Sequence, residues 1–470
     1  MPARRRLLGA ALLAVGLAAI ATVSAGPPDA EPRSGFVARW GGRTKDLGFG
    51  VAADATSVFA TGAAWSADFP VNAGKPPSGD AWCAFLTQLH RANGALAQSV
   101  VLCGRGMTYG RAVAADGGGA AWVAGSSDGP DLPVSRNASQ SRYGGGSAAG
   151  PGDAFVAHWN VAGDVDYLTY LGGTGDETAW GVTPDGSGGL WAAGSTTSRP
   201  FIKRDGSPTG TLAAPDRFLA HIAADRRLDA VKILGGDGVD ELYDVALVDP
   251  RRLVAVGATA SRDGALGAWH GAMDGFVTLL DPVTLKVSWM LRLGGVGNDA
   301  LRAVAVVDGR TIVAVGETSG GACRPGLGGA DGWLISVTLT GEVLRNECVG
   351  TAAADLLSDV AAGPDGILWL TGTSFTATGH RESRREPYHR AFVATGRATG
   401  SVGPLRPLSD EISRGYGVAA DADGIYAVGE TTAVPSDTAP WTAMVHSTAG
   451  AFRGSYPPGS TDPYVIALRR

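Results

Sequence analysis

A short apolar stretch closing on glycine recurs seven times along this chain, as VFATG, WVAG, WAAG, LVAVG, IVAVG, LWLTG and YAVG. Its glycines are Gly62, Gly125, Gly194, Gly257, Gly316, Gly372 and Gly429, spaced by 63, 69, 63, 59, 56 and 57 residues. A period of that size, kept along most of the chain, restricts the fold to one supersecondary unit copied in series. A single copy cannot cover its own apolar faces, so each must bury them against its neighbours.

Each copy holds four strand-like pieces in a fixed order. A first piece, such as Gly50–Asp54 or Ala303–Asp308, leads through an Asp/Gly turn into the glycine-ended piece, and a loop of variable length follows. An acidic or polar residue then opens an alternating segment, as in Asp153–Trp159, Asp216–Ile222, Asp274–Leu280 and Asp331–Val337. A tight turn joins it to a fourth piece ending in Leu-Gly-Gly or a relative. Alternating β-branched and aromatic residues between Gly/Asn/Asp turns describe antiparallel strands, and no long segment carries a helical period. The chain therefore reads as all-β, a single seven-bladed β-propeller of four-stranded antiparallel blades. Its ends complete the ring. Gly35–Gly42 aligns with a fourth strand and Asp462–Leu468 with a third. The N-terminal strand is thus expected to pair in the last blade, which leaves no blade face uncovered.

The 470 residues are 44% hydrophobic and 18% charged, enough apolar material to set intrinsic disorder aside. Arg4, Arg5 and Arg6, the apolar run Leu7–Ala21 and the small residues Val23-Ser24-Ala25 read as a signal peptide over residues 1–25. An uncleaved membrane anchor is the alternative. A short linker at 26–34 then precedes the propeller at 35–470. Losing the leader removes three arginines and no acid, which takes the net charge from −6 to −9 (−6 − 3). An acidic mature chain with no basic stripe excludes nucleic acid as a partner, and no other stretch could cross a bilayer. The expectation is an exported monomer, in the periplasm, outside the cell or on its surface.

The pattern DAFVAHW…YLTYLGGTGDETAWGV…LWAAGST within Asp153–Thr196 resembles the β-propeller repeat called SBBP, found in exported bacterial proteins. The resemblance covers essentially the whole mature chain, strongest in the third blade and weaker in the first and sixth. It implies a propeller and export. The family's activity is poorly defined, so the resemblance implies little about function.

Four cysteines in an exported chain allow three pairings. Cys83 and Cys103 fall on the third and fourth strands of the first blade, around a turn at Asn93-Gly94, and their numbers average to 93. That symmetry places them face to face across a hairpin. Cys348 ends a fourth strand and Cys323 lies in the loop before the same hairpin. The expected disulfides are Cys83–Cys103 and Cys323–Cys348; free buried thiols or a metal pair are the alternative.

Residues that could carry function cluster where fourth strands hand over to inner strands, around the central channel. Phe49, Arg111, Trp180, Tyr243, Arg302, Ser358 and Tyr416 open successive inner strands and should form a ring at the channel mouth. Four aromatics and two arginines there suit a planar, sugar-like or anionic ligand, or else wedge between the blades. Three residues before them stand Asp46, Glu177, Asp240, Asp299 and Asp355, with Thr108 and Ser413 in the other two blades. A repeated acid of this kind reads as a structural binder of loop amides, with channel-mouth catalysis as the competing reading. The long loops Ser126–Gly152, Ser195–Pro215, Ser374–His389 and Thr431–Thr461 share the face of the ring, and variable loops on a rigid frame are where recognition resides.

Other motifs fail on context. Gly235–Tyr243 and Gly294–Arg302 fit the calcium nonapeptide GGxGxDxUx, but that motif needs stacked copies, which leaves Ca2+ only a single-loop site and no cofactor expected. Gly125–Gly129 spells GxSxG after a propeller strand rather than in a strand–turn–helix elbow. His158 and His221 hold equivalent positions, as duplication produces, while His380 and His389, with Glu382, share one loop with no further ligand evident. The leading functional expectation is a non-enzymatic exported binding or scaffold protein recognising a partner protein or glycan. A carbohydrate-active hydrolase or lyase with mouth acids is the alternative, and a cell-surface adhesion protein a third.

Overall fold

The computed structural model describes residues 33–148, 150–199, 201, 215–262, 268–376, 388–408, 413–431 and 461–469. These residues form seven four-stranded antiparallel sheets and no helix. The molecule is a seven-bladed β-propeller. In six blades the four strands follow one another in the chain, and in the seventh the order is closed by the N-terminal strand. The inner strands are Asp46–Ala53, Thr108–Gly117, Glu177–Pro184, Asp240–Asp249, Asp299–Val307, Ala354–Ala362 and Ser413–Ala420, for blades 1 to 7.

Closure is made by Arg33–Arg39, which pairs antiparallel with Asp462–Arg469, Val37 facing Ile466 and Ala38 facing Val465. This strand begins at Arg33, so it takes in the end of the segment read as linker. Alternate side chains on it, Phe36 and Ala38, are fully buried, as is the following Trp40. They join Phe69, Phe85, Tyr426, Val428 and Val465 in one cluster spanning blades 7 and 1. Arg39 donates to Asp462 across the seam at 2.5 Å, both side chains being buried. Residues 1–25, read from the sequence as a signal peptide, lie outside the described residues. Among the described residues no helix is long and apolar enough to cross a membrane.

The recurrent glycines have one common cause. In every blade the inner strand carries a β-bulge, at Gly48/Gly50, Gly110/Ala112, Ala179/Gly181, Leu242/Asp244, Leu301/Ala303, Leu357/Asp359 and Gly415/Gly417. Opposite each bulge stands the repeat glycine. A Cβ there would overlap the inner strand's carbonyl oxygen, that of Leu47 for Gly62, Tyr109 for Gly125 and Thr178 for Gly194. The same overlap recurs with the carbonyls of Glu241, Ala300, Leu356 and Arg414 in blades 4 to 7. A bulge inserts one unpaired residue and re-aims its side chain. Here the inserted residues are Phe49, Arg111, Trp180, Tyr243, Arg302, Ser358 and Tyr416.

Both expected disulfides are present, Cys83–Cys103 with Cα atoms 4.6 Å apart and Cys323–Cys348 with Cα atoms 5.2 Å apart. They suit an oxidising compartment. Each closes a loop, of 20 and 25 residues' separation, and in the chain-entropy account a loop of that size is worth about 3 kcal/mol. Urea denaturation of the Cys83→Ser/Cys103→Ser variant should show a loss of about that size. An unchanged midpoint with unchanged slope would contradict the bridge's stabilising role.

Candidate functional site

Loops entering the inner strands and loops leaving the glycine-ended strands meet at one end of the channel, because adjacent strands run antiparallel. The seven bulged residues stand at this end, all of them half-buried. Six form a continuous chain of contacts. The Tyr416 ring meets Phe49 edge-on with centroids 5.4 Å apart. The Arg111 guanidinium lies 4.8 Å from the Phe49 ring, 4.8 Å from Tyr109 and 5.1 Å from Trp180. Trp180 meets Tyr243 edge-on at 6.3 Å, and Arg302 covers Tyr243 at 4.2 Å. Ser358, the small member, stands between Arg302 and Tyr416 in the blade order.

Three further aromatics extend the ring outward over blades 1 and 2. Trp65, just beyond the second strand of blade 1, packs on Trp82 at 5.4 Å, and Trp82 on Tyr109 at 6.0 Å. All three are half-exposed. The result is an unbroken aromatic–guanidinium track from Trp65 through Arg111 to Arg302. Sequence reasoning missed Trp65, Trp82 and Tyr109 because Tyr109 has no aromatic counterpart and the other two recur only in blade 6, as Phe375 and His389.

The two halves of the mouth differ in charge. In blades 4, 5 and 7 carboxylates bind the ring's polar groups. The Tyr243 hydroxyl donates to Glu241, Arg302 donates to Glu317 at 2.6 Å, and the Tyr416 hydroxyl donates to Glu430 at 3.2 Å. Burial pushes Tyr416 up to about 12 and raises Glu430 above the usual carboxylate range. For Arg302, burial opposes the charge, but Tyr243, Glu317 and Glu241 outweigh it and raise the pKa. Blades 1 to 3 supply rings and Arg111. Arg111 makes no hydrogen bond or ion pair among the described residues, and its buried Nε has no partner. Burial lowers its pKa, against the opposing pull of the Tyr109 and Tyr416 hydroxyls.

The recurrent acids do not stand open at the mouth. Asp46, Glu177, Asp240, Asp299 and Asp355 are at most 1% exposed. Each accepts the amide four residues earlier: Gly42 at 2.7 Å, Gly173 at 3.0 Å, Gly236 at 2.9 Å, Gly295 at 2.7 Å and Thr351 at 2.6 Å. They hold the loop into their own strand. The two nonapeptide-like segments are such loops, with Asp240 and Asp299 spent on their glycine amides. Thr108 does related work, its hydroxyl 2.9 Å from Ser127 Oγ, and Ser127 also accepts the Gly129 amide, so the GxSxG serine is part of a buried turn. Ser413 Oγ accepts the Ala391 amide at 3.1 Å. Asp153, which opens a third strand, sits against Glu177 under one loop; Gln140 and the amides of Gly144 and Gly145 donate to it. Burial first, and then Glu177, raise its pKa to about 7.

Two acids lie deeper, along the bore. Asp244 and Asp359 directly follow their bulges, where the other blades have Gly50, Ala112, Gly181, Ala303 and Gly417. Asp244 accepts the Val304 amide at 2.9 Å, and Asp359 that of Val418 at 2.7 Å, each on the inner strand of the next blade. Both are half-buried. Burial raises Asp244 to about 7; burial and the charge of Asp244 raise Asp359 to about 8.

On the opposite face His158 bridges Asp166 at 2.6 Å and Asp116 at 3.0 Å, and His221 repeats this with Asp229 and Asp185 at the same distances. Each ring packs on a tryptophan, Trp122 or Trp191, so duplication copied a whole structural cluster. His380 and Glu382 lie outside the described residues, as do most of the loops 195–215, 374–389 and 431–461. His389 is on a strand, beside Phe375 and Arg414. Among the described residues the one convergence of three metal-type side chains is Cys323, Cys348 and Asp331, and its two sulfurs are bonded to each other.

No family model matches this chain, and no curated protein matches it. Solved structures similar to it include the endosialidase of phage phi92, with a TM-score of 0.37 and 10% identity over 93% of this chain and 69% of that one. The parainfluenza virus 5 hemagglutinin-neuraminidase ectodomain aligns with a TM-score of 0.34 and 8% identity, over 92% of this chain and 84% of that one. The acylaminoacyl peptidase of Pyrococcus horikoshii aligns at 0.31 and 12%, over 68% of this chain and 48% of that one.

Proposed function

We propose that this protein is an exported, non-enzymatic binding propeller of the SBBP type that holds a glycan on its loop-bearing face. The carrying observation is the unbroken, half-exposed track from Trp65 and Trp82 through Tyr109 and Arg111 to Tyr243 and Arg302. Sugar rings present apolar C–H faces that stack on aromatics, while their hydroxyls seek edge-on polar partners. A narrow row of rings fits that chemistry better than it fits a partner protein. Hydrolysis gains no support from the recurrent acids, which are buried and engaged with loop amides. Export is supported by the signal-like leader and the two disulfides.

A glycan array with the purified protein, followed by calorimetry on the best hit, tests this reading. Trp82→Ala should weaken binding about ten-fold, the loss of one stacking ring, without lowering the unfolding midpoint. Turnover of a bound glycan, or binding indifferent to Trp82 and Trp65, would overturn it.

A further inference from the structure

The repeat supplies an internal comparison for the mouth arginines. In blade 5 the residue after the repeat glycine is Glu317, and it receives the bulged Arg302 at 2.6 Å. In blade 7 the same position is Glu430, which receives the Tyr416 hydroxyl. In blade 2 that position is Ser126, whose fully buried hydroxyl has no hydrogen-bond partner. The bulged residue of blade 2 is Arg111, likewise without a carboxylate. The slot that holds an acid in blade 5 therefore lacks one in blade 2, and it leaves two polar groups unmet.

The rings of Phe49, Tyr109 and Trp180 surround the Arg111 guanidinium at 4.8, 4.8 and 5.1 Å. Aromatic rings attract the charge but offer no lone pair, so the guanidinium's N–H donors still lack an acceptor, its buried Nε among them. Half-burial strips water from a charged group, so those donors gain more from an anion than exposed ones would. A planar carboxylate matches the guanidinium fork in two parallel hydrogen bonds. We infer that Arg111 is the recognition point for a carboxylate on the bound glycan, and that the preferred ligand is an acidic polysaccharide built from uronate sugars. The ligand acid takes the role that Glu317 plays toward Arg302, while neighbouring sugar rings lie on Tyr109 and Trp82. This inference rests on the glycan-platform reading and narrows it.

The test uses the full chain and pairs of ligands that differ in charge alone: oligogalacturonate with its methyl ester, and oligomannuronate with its carboxyl-reduced form. Titrations followed by tryptophan fluorescence should show at least one charged member bound ten-fold or more tightly than its neutral partner, a preference that shrinks as salt rises. Arg111→Gln should abolish the preference, so that the charged and neutral members of each pair bind alike, and Arg111→Lys should keep part of it. Near-ultraviolet circular dichroism checks that both variants fold, and the wild-type comparison decides the matter if they do not. Equal binding of charged and neutral members overturns the carboxylate inference while the platform reading stands. No binding to either member of any pair, in a protein that also fails the glycan array, overturns both.

Discussion

A chain lacking residues 1–41 is expected to lose the closed ring, elute from size-exclusion columns as aggregate and show no cooperative unfolding transition. The reason lies in what Arg33–Arg39 supplies. Without it, Asp462–Arg469 becomes an open edge with a row of unpaired amides and carbonyls, the geometry that recruits further chains. Phe36, Ala38 and Trp40, fully buried at present, vanish from the cluster that joins blades 7 and 1. Asp462 also loses Arg39, its buried charge partner, and a buried carboxylate stripped of its partner costs about 3–5 kcal/mol. The milder variant Trp40→Ala removes the ring that packs on Phe85 at 6.0 Å and should cost about 3–5 kcal/mol by urea denaturation. A truncated chain that stays monomeric and melts at the wild-type temperature would show that the seam is not what closes the propeller.

Stability should fall as pH rises from about 4 to 8, by roughly 3–5 °C in Tm. Asp153 and Asp244 are pushed up to about 7 and Asp359 to about 8, and burial raises Asp46 and Glu177 as well. For each of these the folded pKa exceeds the unfolded one, so the native state holds the proton more tightly. Their stabilising contribution is complete below the unfolded carboxylate pKa and is lost as pH climbs through the folded value. Asp54, Asp185, Asp249 and Asp281 are shifted the other way and lose their contribution only in more acid solution. Asp244→Asn with Asp359→Asn should make the profile shallower between pH 5 and 8, since those amides carry no proton to release there, with Asp153 left to supply a residual slope. A wild-type Tm that is level or rising across that window would contradict the protonated state of the bore.

The architecture was legible because it is periodic. Seven glycines at near-constant spacing mark seven blades, and the chain ends match the two strand types that the last blade lacks. The mouth ring was legible for the same reason, each member holding one fixed place after the loop. The bulge that lifts those residues was not, since a bulge has no composition of its own and shows only as the clash each repeat glycine avoids. Asp244 and Asp359 also escaped notice. Their position holds glycine or alanine in the other five blades, so no recurrence singled them out. Glu317 and Glu430 stand where other blades carry alanine, serine or threonine, and the pair Trp65 and Trp82 is echoed in blade 6 alone, by Phe375 and His389. The recurrent acids were visible, yet their depth was not, because burial depends on how far the loop folds back over them.

The glycine facing each bulge has an evolutionary corollary. By absorbing the steric cost of the extra residue on the neighbouring strand, it makes the protruding position indifferent to what stands there, as the range from Ser358 to Trp180 illustrates. The rim thus behaves as seven sockets on an unchanging mount. A lineage descended from such a gene could exchange one guanidinium or one indole at a time, and so change the chemistry the rim presents, without relearning how to fold.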